Sequence, residues 1–161
     1  MYMKKLFLLL MVVIAMTACE GPMGPQGVPG EAGSLLTKVE YFTVKPSDWK
    51  FMGPSDNPNE VYYQYTVTPK FYSELGDKEL EWLYNDGAIH TYLFRNFDQN
   101  GETQTPLPYV LNWADNNNKL CIETVYSDYT MQDVAFYIAY SGANQDSSPT
   151  QDMHFRIVAN W

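Results

Sequence analysis

The sequence predicts an all-β fold, an antiparallel β-sandwich behind a secretory leader and an extended tether. Three observations carry this expectation. Apolar residues alternate with polar ones in several short runs after Ser34. Turn-forming clusters of Gly, Pro, Asn and Asp separate those runs at short intervals. Only one stretch has the spacing of a helix. Side chains on a strand point alternately to two faces, so a period of two marks a strand with one face buried.

Glu40–Val44 reads as the end of a first strand, stopped at Pro46. Trp49-Lys50-Phe51 alternates briefly before the turn-rich segment 53–59. Val61, Tyr63, Tyr65 and Val67 mark one face of the next strand; Tyr62, Gln64, Thr66 and Thr68 mark the other, and Pro69 ends it. Residues 77–84 are the helix: Asp77 is placed to cap it, Leu80, Leu83 and Tyr84 share a face, and Asn85-Asp86-Gly87 stops it. Ala88–Phe94 returns to strand, and Asp98-Gln99-Asn100-Gly101 is a hairpin-type turn. Leu107–Trp113 is strand-like, and its prolines suit a sheet edge. Asp115–Asn118 turns the chain into Leu120–Tyr126. Val134, Phe136, Ile138 and Tyr140 then alternate, Ser141–Gln151 is a polar loop, and Phe155, Ile157, Ala159 and Trp161 share a face of the last strand. About seven or eight strands with almost no helix call for two packed antiparallel sheets, of the immunoglobulin or the jelly-roll kind.

The front of the chain gives an address. Lys4 and Lys5 precede the apolar run Leu6–Met16, and Thr17 and Ala18 lead to Cys19. The run is shorter than the about 20 residues needed to span a bilayer. Its charged start and small-residue exit fit a secretory signal. Met16-Thr17-Ala18-Cys19 resembles a lipobox, with Met16 in the place usually held by leucine. The resemblance implies cleavage before Cys19, lipid on its sulfur and an acyl group on the new amine. Several chains hold a protein at a membrane stably, where one holds it only marginally.

Glycine then falls at every third position from Gly21 to Gly33. That period resembles a collagen repeat, in which only glycine fits at the axis of three wound polyproline strands. Residues 21–33 form either an extended spacer reaching roughly 40 Å or a short triple helix that makes the protein a homotrimer. The organisation expected is therefore a signal peptide over residues 1–18, a lipidated cysteine and tether over 19–34, and a sandwich over 35–161. The stretch Met16–Gly33 resembles collagen-like lipoproteins of Gram-negative bacteria, particularly gut commensals, in which a lipidated cysteine and a few Gly-x-x triplets precede a β domain. This implies a lipid-anchored protein of the cell envelope, expected in the outer membrane and either periplasmic or surface-displayed; it does not point to an activity.

Composition excludes some partners. With 19 acidic and 10 basic residues, the net charge is −9, and removing Lys4 and Lys5 makes it more negative. Such a surface repels phosphate backbones, so nucleic acid is not an expected partner. The membrane is a partner through the lipid on Cys19. Cys121 is the only other cysteine; it lies in a strand-like run with no visible base, as a buried thiol would.

No motif implies a cofactor or a metal. His90 and His154 have no ligand spacing between them. The oxygen-rich stretches 56–60 and 115–118 lack the calcium-loop pattern. The glycines of residues 21–33 do not sit between a strand and a helix, as a nucleotide loop would. Paired carboxylates and Ser-His-Asp order are absent from the pattern, so catalysis is not expected. The remaining signal is aromatic: 13 tyrosines and 4 tryptophans. Exposed rings stack on sugars or on protein surfaces. Trp49, Tyr62, Trp82, Tyr109 and Trp113 are the candidate binding aromatics, against the alternative that such residues fill the core. The expected function is a non-enzymatic binding or adhesion module for a glycan or protein ligand. A structural or trimeric assembly subunit and a hydrolase of surface polymers are its rivals.

Overall fold

A computed structural model of the chain describes residues 36–54, 56, 60–142, 144 and 146–161. The expected leader, the lipidated Cys19 and the Gly-x-x segment with its trimer lie outside these residues. Among the described residues, the body is a β-sandwich of nine antiparallel strands. In chain order they are β1 (Thr37–Val44), β2 (Lys50–Pro54), β3 (Glu60–Val67), β4 (Ala88–Arg95), β5 (Thr103–Pro106), β6 (Tyr109–Ala114), β7 (Leu120–Tyr129), β8 (Val134–Gly142) and β9 (Met153–Asn160). One sheet has the order β1-β9-β4-β5 and the other β2-β3-β8-β7-β6.

The alternation in the sequence builds the inner faces. Phe155, Ile157 and Ala159 of β9 are fully buried, as are Val134 and Phe136 of β8 and Val125 of β7. Val61, Tyr63, Tyr65 and Val67 of β3 pack against this core, as their period predicts. The two sheets meet at aromatic rings. Phe136 and Phe155 lie 4.5 Å apart between ring centroids, and Phe42 of β1 contacts both at 5.1 and 5.8 Å.

Trp49 joins the same cluster and corrects an expectation. It is 7% exposed, and its indole meets Tyr65 and Phe155 edge-on at 6.2 and 6.3 Å. It is a core residue, not a binding aromatic. A 3₁₀ turn at Pro46–Asp48 produces this, because it ends β1 and delivers Trp49 between the sheets before β2 begins. The turn is held by the Lys45 N–H donating to the Asp48 carboxylate at 3.0 Å.

Two helices stand between β3 and β4. The first, α1 (Lys70–Glu74), was not expected. Pro69 ends β3 and then starts the helix, where its fixed φ and missing N–H cost nothing. Phe71 and Tyr72 are buried, and the Lys70 N–H donates to the Glu40 carboxylate at 2.7 Å. Helix α2 (Asp77–Asn85) falls where its spacing placed it, with Leu83 fully buried. Its cap differs from the expected Asp77. Gly76 is the flanking residue, and the Glu79 carboxylate reaches back to accept the Gly76 N–H at 3.1 Å.

The expected edge strand Leu107–Trp113 starts two residues later, as β6 at Tyr109, and a strand the sequence did not mark, β5, ends at Pro106 in the other sheet. Prolines cannot donate to a ladder, so the Pro106–Pro108 stretch is where the chain leaves one sheet for the other. Strand β6 is an edge, as its prolines suggested. The turn at 98–101 joins β4 to β5, and that at 115–118 joins β6 to β7. Among the described residues, no helix is long and apolar enough to cross a membrane.

Truncating the seam tests this account. Phe155→Ala or Trp49→Ala removes a ring that both sheets surround, so each is expected to cost about 3–5 kcal/mol, read as a lowered urea midpoint at unchanged slope. The outward-facing Tyr41, which is 59% exposed, serves as the control; its replacement by Ala leaves the midpoint nearly unchanged.

Candidate functional site

Strand alternation leaves Tyr62 and Gln64 on the outer side of β3, Tyr137 on that of β8, and Tyr126 and Asp128 on that of β7. The register brings these together. Gln64 and Tyr126 both lie opposite Tyr137, Tyr62 and Thr124 lie opposite Ala139, and Asp128 lies opposite Ala135. A cluster of tyrosines therefore crosses three central strands on the solvent side of the five-stranded sheet.

Its geometry is defined by contacts between rings. Tyr126 and Tyr137 are stacked, with centroids 4.7 Å apart and planes 12° from parallel. Tyr62 leans on the other neighbour, 6.3 Å from Tyr137. Between the tyrosine positions, β8 carries only Ala135 and Ala139, both buried beneath their longer neighbours. The polar groups are fixed as well. The Tyr137 hydroxyl donates to Asp128 at 3.1 Å and accepts from Gln64 Nε2 at 3.2 Å. Partial burial, then the bond to Asp128 and its charge, push the Tyr137 phenol up to about 12. Burial raises the Tyr126 phenol too, with Glu60, Tyr62 and Asp128 adding to it. Both hydroxyls stay protonated at neutral pH and remain hydrogen-bond donors. The patch offers flat apolar ring surface beside a carboxylate and a carboxamide, a combination that suits the carbon faces and hydroxyls of a sugar.

The aromatics expected from the sequence do not converge. Tyr62 belongs to this patch. Tyr109 sits on the sandwich-facing side of β6, packs against the core and lies 5.2 Å below the Arg95 guanidinium. Trp113 shares that side of β6 nearer the end of the sheet and is 40% exposed. Trp82 projects from α2, 57% exposed, and shares with Asp86 and Trp161 an open groove of about 270 Å³. The sequence reading missed Tyr126 and Tyr137. The run Val134–Tyr140 does assign Tyr137 to the outer face; what pairs it with Tyr126 is the register between β7 and β8.

Other groups have local roles. Cys121 is buried on β7, its Sγ 3.9 Å from the Lys119 carbonyl oxygen. The Asp115 carboxylate accepts the N–H groups of Lys119 and Asn117, each at 2.8 Å, and these bonds hold its pKa below the usual range. Its loop is a turn built on that carboxylate. Of stretch 56–60, residues 57–59 lie outside the described ones. Among the described residues, no three His, Cys, Asp or Glu gather as metal ligands would. Glu123 points from β7 into the sandwich, opposite Leu111 and Tyr140. Burial raises its carboxyl above the ordinary value, and burial together with the Glu123 charge raises the Tyr140 phenol.

Comparison with known families finds no matching family model, and neither the curated proteins nor the solved structures compared give a match.

Glu123 makes a pH prediction. Its folded pKa is raised, so the stability it contributes is full below the unfolded value of about 4.3 and is lost as pH rises through the folded value. Glu123→Gln removes that loss. Thermal melts should show the variant melting above the native chain at neutral pH, with the two curves converging toward about pH 4.

Proposed function

We propose that this protein is a non-enzymatic glycan-binding module, anchored at the cell envelope by lipid on Cys19 and held off the outer membrane by the Gly-x-x spacer. The observation that carries the binding reading is the tyrosine stack Tyr62–Tyr137–Tyr126 on the solvent side of the five-stranded sheet. Core packing does not require rings there, since the inner face of the same strands already supplies the core. Cross-strand aromatic pairs do stabilise a sheet by roughly 0.2–1 kcal/mol, which is a small return for three large rings left half in water.

A sugar polymer suits the patch better than a protein surface does. Aromatic rings accept the C–H faces of pyranose rings, and Asp128 and Gln64 are oriented beside them to pair with hydroxyls. An uncharged glycan is favoured there, because Asp128 and Glu60 border the patch. The leader motif and the period of glycine support the address: a secreted, acylated chain needs no transmembrane helix to stay at the membrane.

Two measurements test the proposal. On a glycan array probed with the full chain in detergent, binding to neutral oligosaccharides is expected, and Tyr126→Ala or Tyr137→Ala should weaken it at least about tenfold, or 1.4 kcal/mol. Trp82→Ala, on α2, should leave it unchanged. Array binding that survives both tyrosine substitutions would falsify the assignment of the face. Intact-mass analysis should find the mature chain starting at Cys19 with fatty acyl groups, and Cys19→Ala should release the protein from membranes.

A further inference from the structure

The outer face of the four-stranded sheet has a different chemistry. From β1, β9 and β4 the register turns Tyr41, Arg156, His154, His90, Tyr92 and Phe94 outward, and no Asp or Glu of these strands or of β5 turns outward with them. Among the described residues, the outward strand positions of this face carry both histidines of the chain and none of its acidic residues. The exposed Asp152 immediately precedes β9, and Asp98 and Glu102 lie in the β4–β5 loop, where Glu102 accepts the Asp98 N–H at 2.8 Å.

Arg156 occupies the middle of this face. Its guanidinium carbon lies 5.8 Å from the Tyr41 ring centroid and 5.7 Å from that of Tyr92. Nη1 donates to Gln104 Oε1 at 2.7 Å, while Nε is buried with no partner. The one ion pair among the described residues joins Lys38 to Glu74 on the other side of β1, so Arg156 has no carboxylate within reach there. Rings on both sides and one hydrogen bond thus hold a planar cation in place without neutralising it. A guanidinium is weakly hydrated and pairs with carboxylates through two parallel N–H bonds. Fixing it in advance lowers the ordering cost of binding.

We propose that this face binds an acidic polysaccharide through a sugar ring bearing a carboxylate, a uronate. Arg156 takes the carboxylate, and Tyr41 takes the carbon face of the ring. Tyr41 is 59% exposed and is backed by the buried Phe94 ring at a centroid distance of 6.0 Å. A single cation set in a flat aromatic surface matches a ring with one acid group. An aspartate or glutamate side chain of a peptide would satisfy Arg156 but leave the Tyr41 ring uncovered. His154 does not compete for the ligand, because its Nδ1 is bonded to Thr43 Oγ1 at 2.8 Å and its ring is stacked on Phe97 at 3.7 Å. This site lies on the opposite sheet from the tyrosine stack and does not depend on it.

The experiment uses the full chain in detergent, with polygalacturonate and its fully methyl-esterified form as probes in affinity electrophoresis. Retardation by the acid polymer alone is expected. Arg156→Gln should weaken it at least tenfold, and so should Arg156→Lys, which keeps the charge and loses the planar fork. Tyr41→Ala, at an exposed position, should weaken it comparably with no change in melting temperature, which separates loss of the site from loss of the fold. Tyr137→Ala should have no effect. The proposal is overturned if the native chain ignores polygalacturonate, if the esterified polymer binds equally, or if the Arg156 variants and Tyr41→Ala bind as the native chain does. Equal, Arg156-dependent binding of poly-glutamate would also overturn it, by pointing to a peptide ligand.

Discussion

The contact between Phe136 and Phe155 is what the rest of the domain is arranged around. Each ring stands on a strand paired on both sides, β8 in one sheet and β9 in the other. Each is fully buried, and Phe42 and Trp49 complete the seam. Because strand side chains alternate, fixing one ring on each sheet fixes the face of every neighbour through the register. A slip of one residue would expose Phe155, Ile157 and Ala159 together, a loss of several kcal/mol by the usual measure of burial. The domain does this without a disulfide in its body, since Cys121 stands alone there.

The same constraint decides what the outer faces can be. Once the inward positions are apolar, the outward ones are free to carry rings and charges that the core does not need. On β8 they are small at Ala135 and Ala139 and large at Tyr137, so the ring of Tyr137 rises between Tyr62 and Tyr126 with no bulky group of its own strand beside it. On β9 they are His154, Arg156 and Val158, flanked by Tyr41 on β1 and Tyr92 on β4. Both clusters centre on a strand with neighbours on either side, Tyr137 on β8 and Arg156 on β9, although Tyr41 stands on the edge strand β1; strands hold side-chain geometry better than loops do.

Much of this was legible in the sequence, and the gaps have physical causes. β3, β8 and β9 each show period two over enough residues to give both the strand and its inward face. Helix α2 announced itself through Leu80 and Leu83. β5 did not, because Thr103-Gln104-Thr105-Pro106 has no apolar side to mark it, being an exposed edge strand with little to bury. Helix α1 is too short for a period. Trp49 misled for a related reason: it stands alone between a turn and a five-residue strand, so no pattern told which way its indole pointed. The candidate site was half legible. Alternation put Tyr62 and Tyr137 outside, but their neighbourhood is made by pairing between β3, β8 and β7, and β3 is distant from the other two in sequence. Arg156 carried no signal, because its meaning comes from the absence of acids on three other strands.

The two outer faces also divide the charge of the molecule in a way that net charge conceals. A chain at −9 is repelled at long range by an acidic polymer, and in water that repulsion is screened beyond about 8–10 Å. Inside that distance the local face matters more than the sum. Around Arg156 the outward strand positions among the described residues carry no carboxylate, while around Tyr137 Asp128 is bonded directly to the phenol. An acidic ligand therefore has a reason to choose one sheet and a neutral one to choose the other, even though both present aromatic surface of similar kind. Selectivity of this sort needs no deep pocket. It needs rings in register and one uncompensated charge kept away from the many of opposite sign, which an antiparallel sandwich provides by separating its two solvent faces with the full thickness of the core.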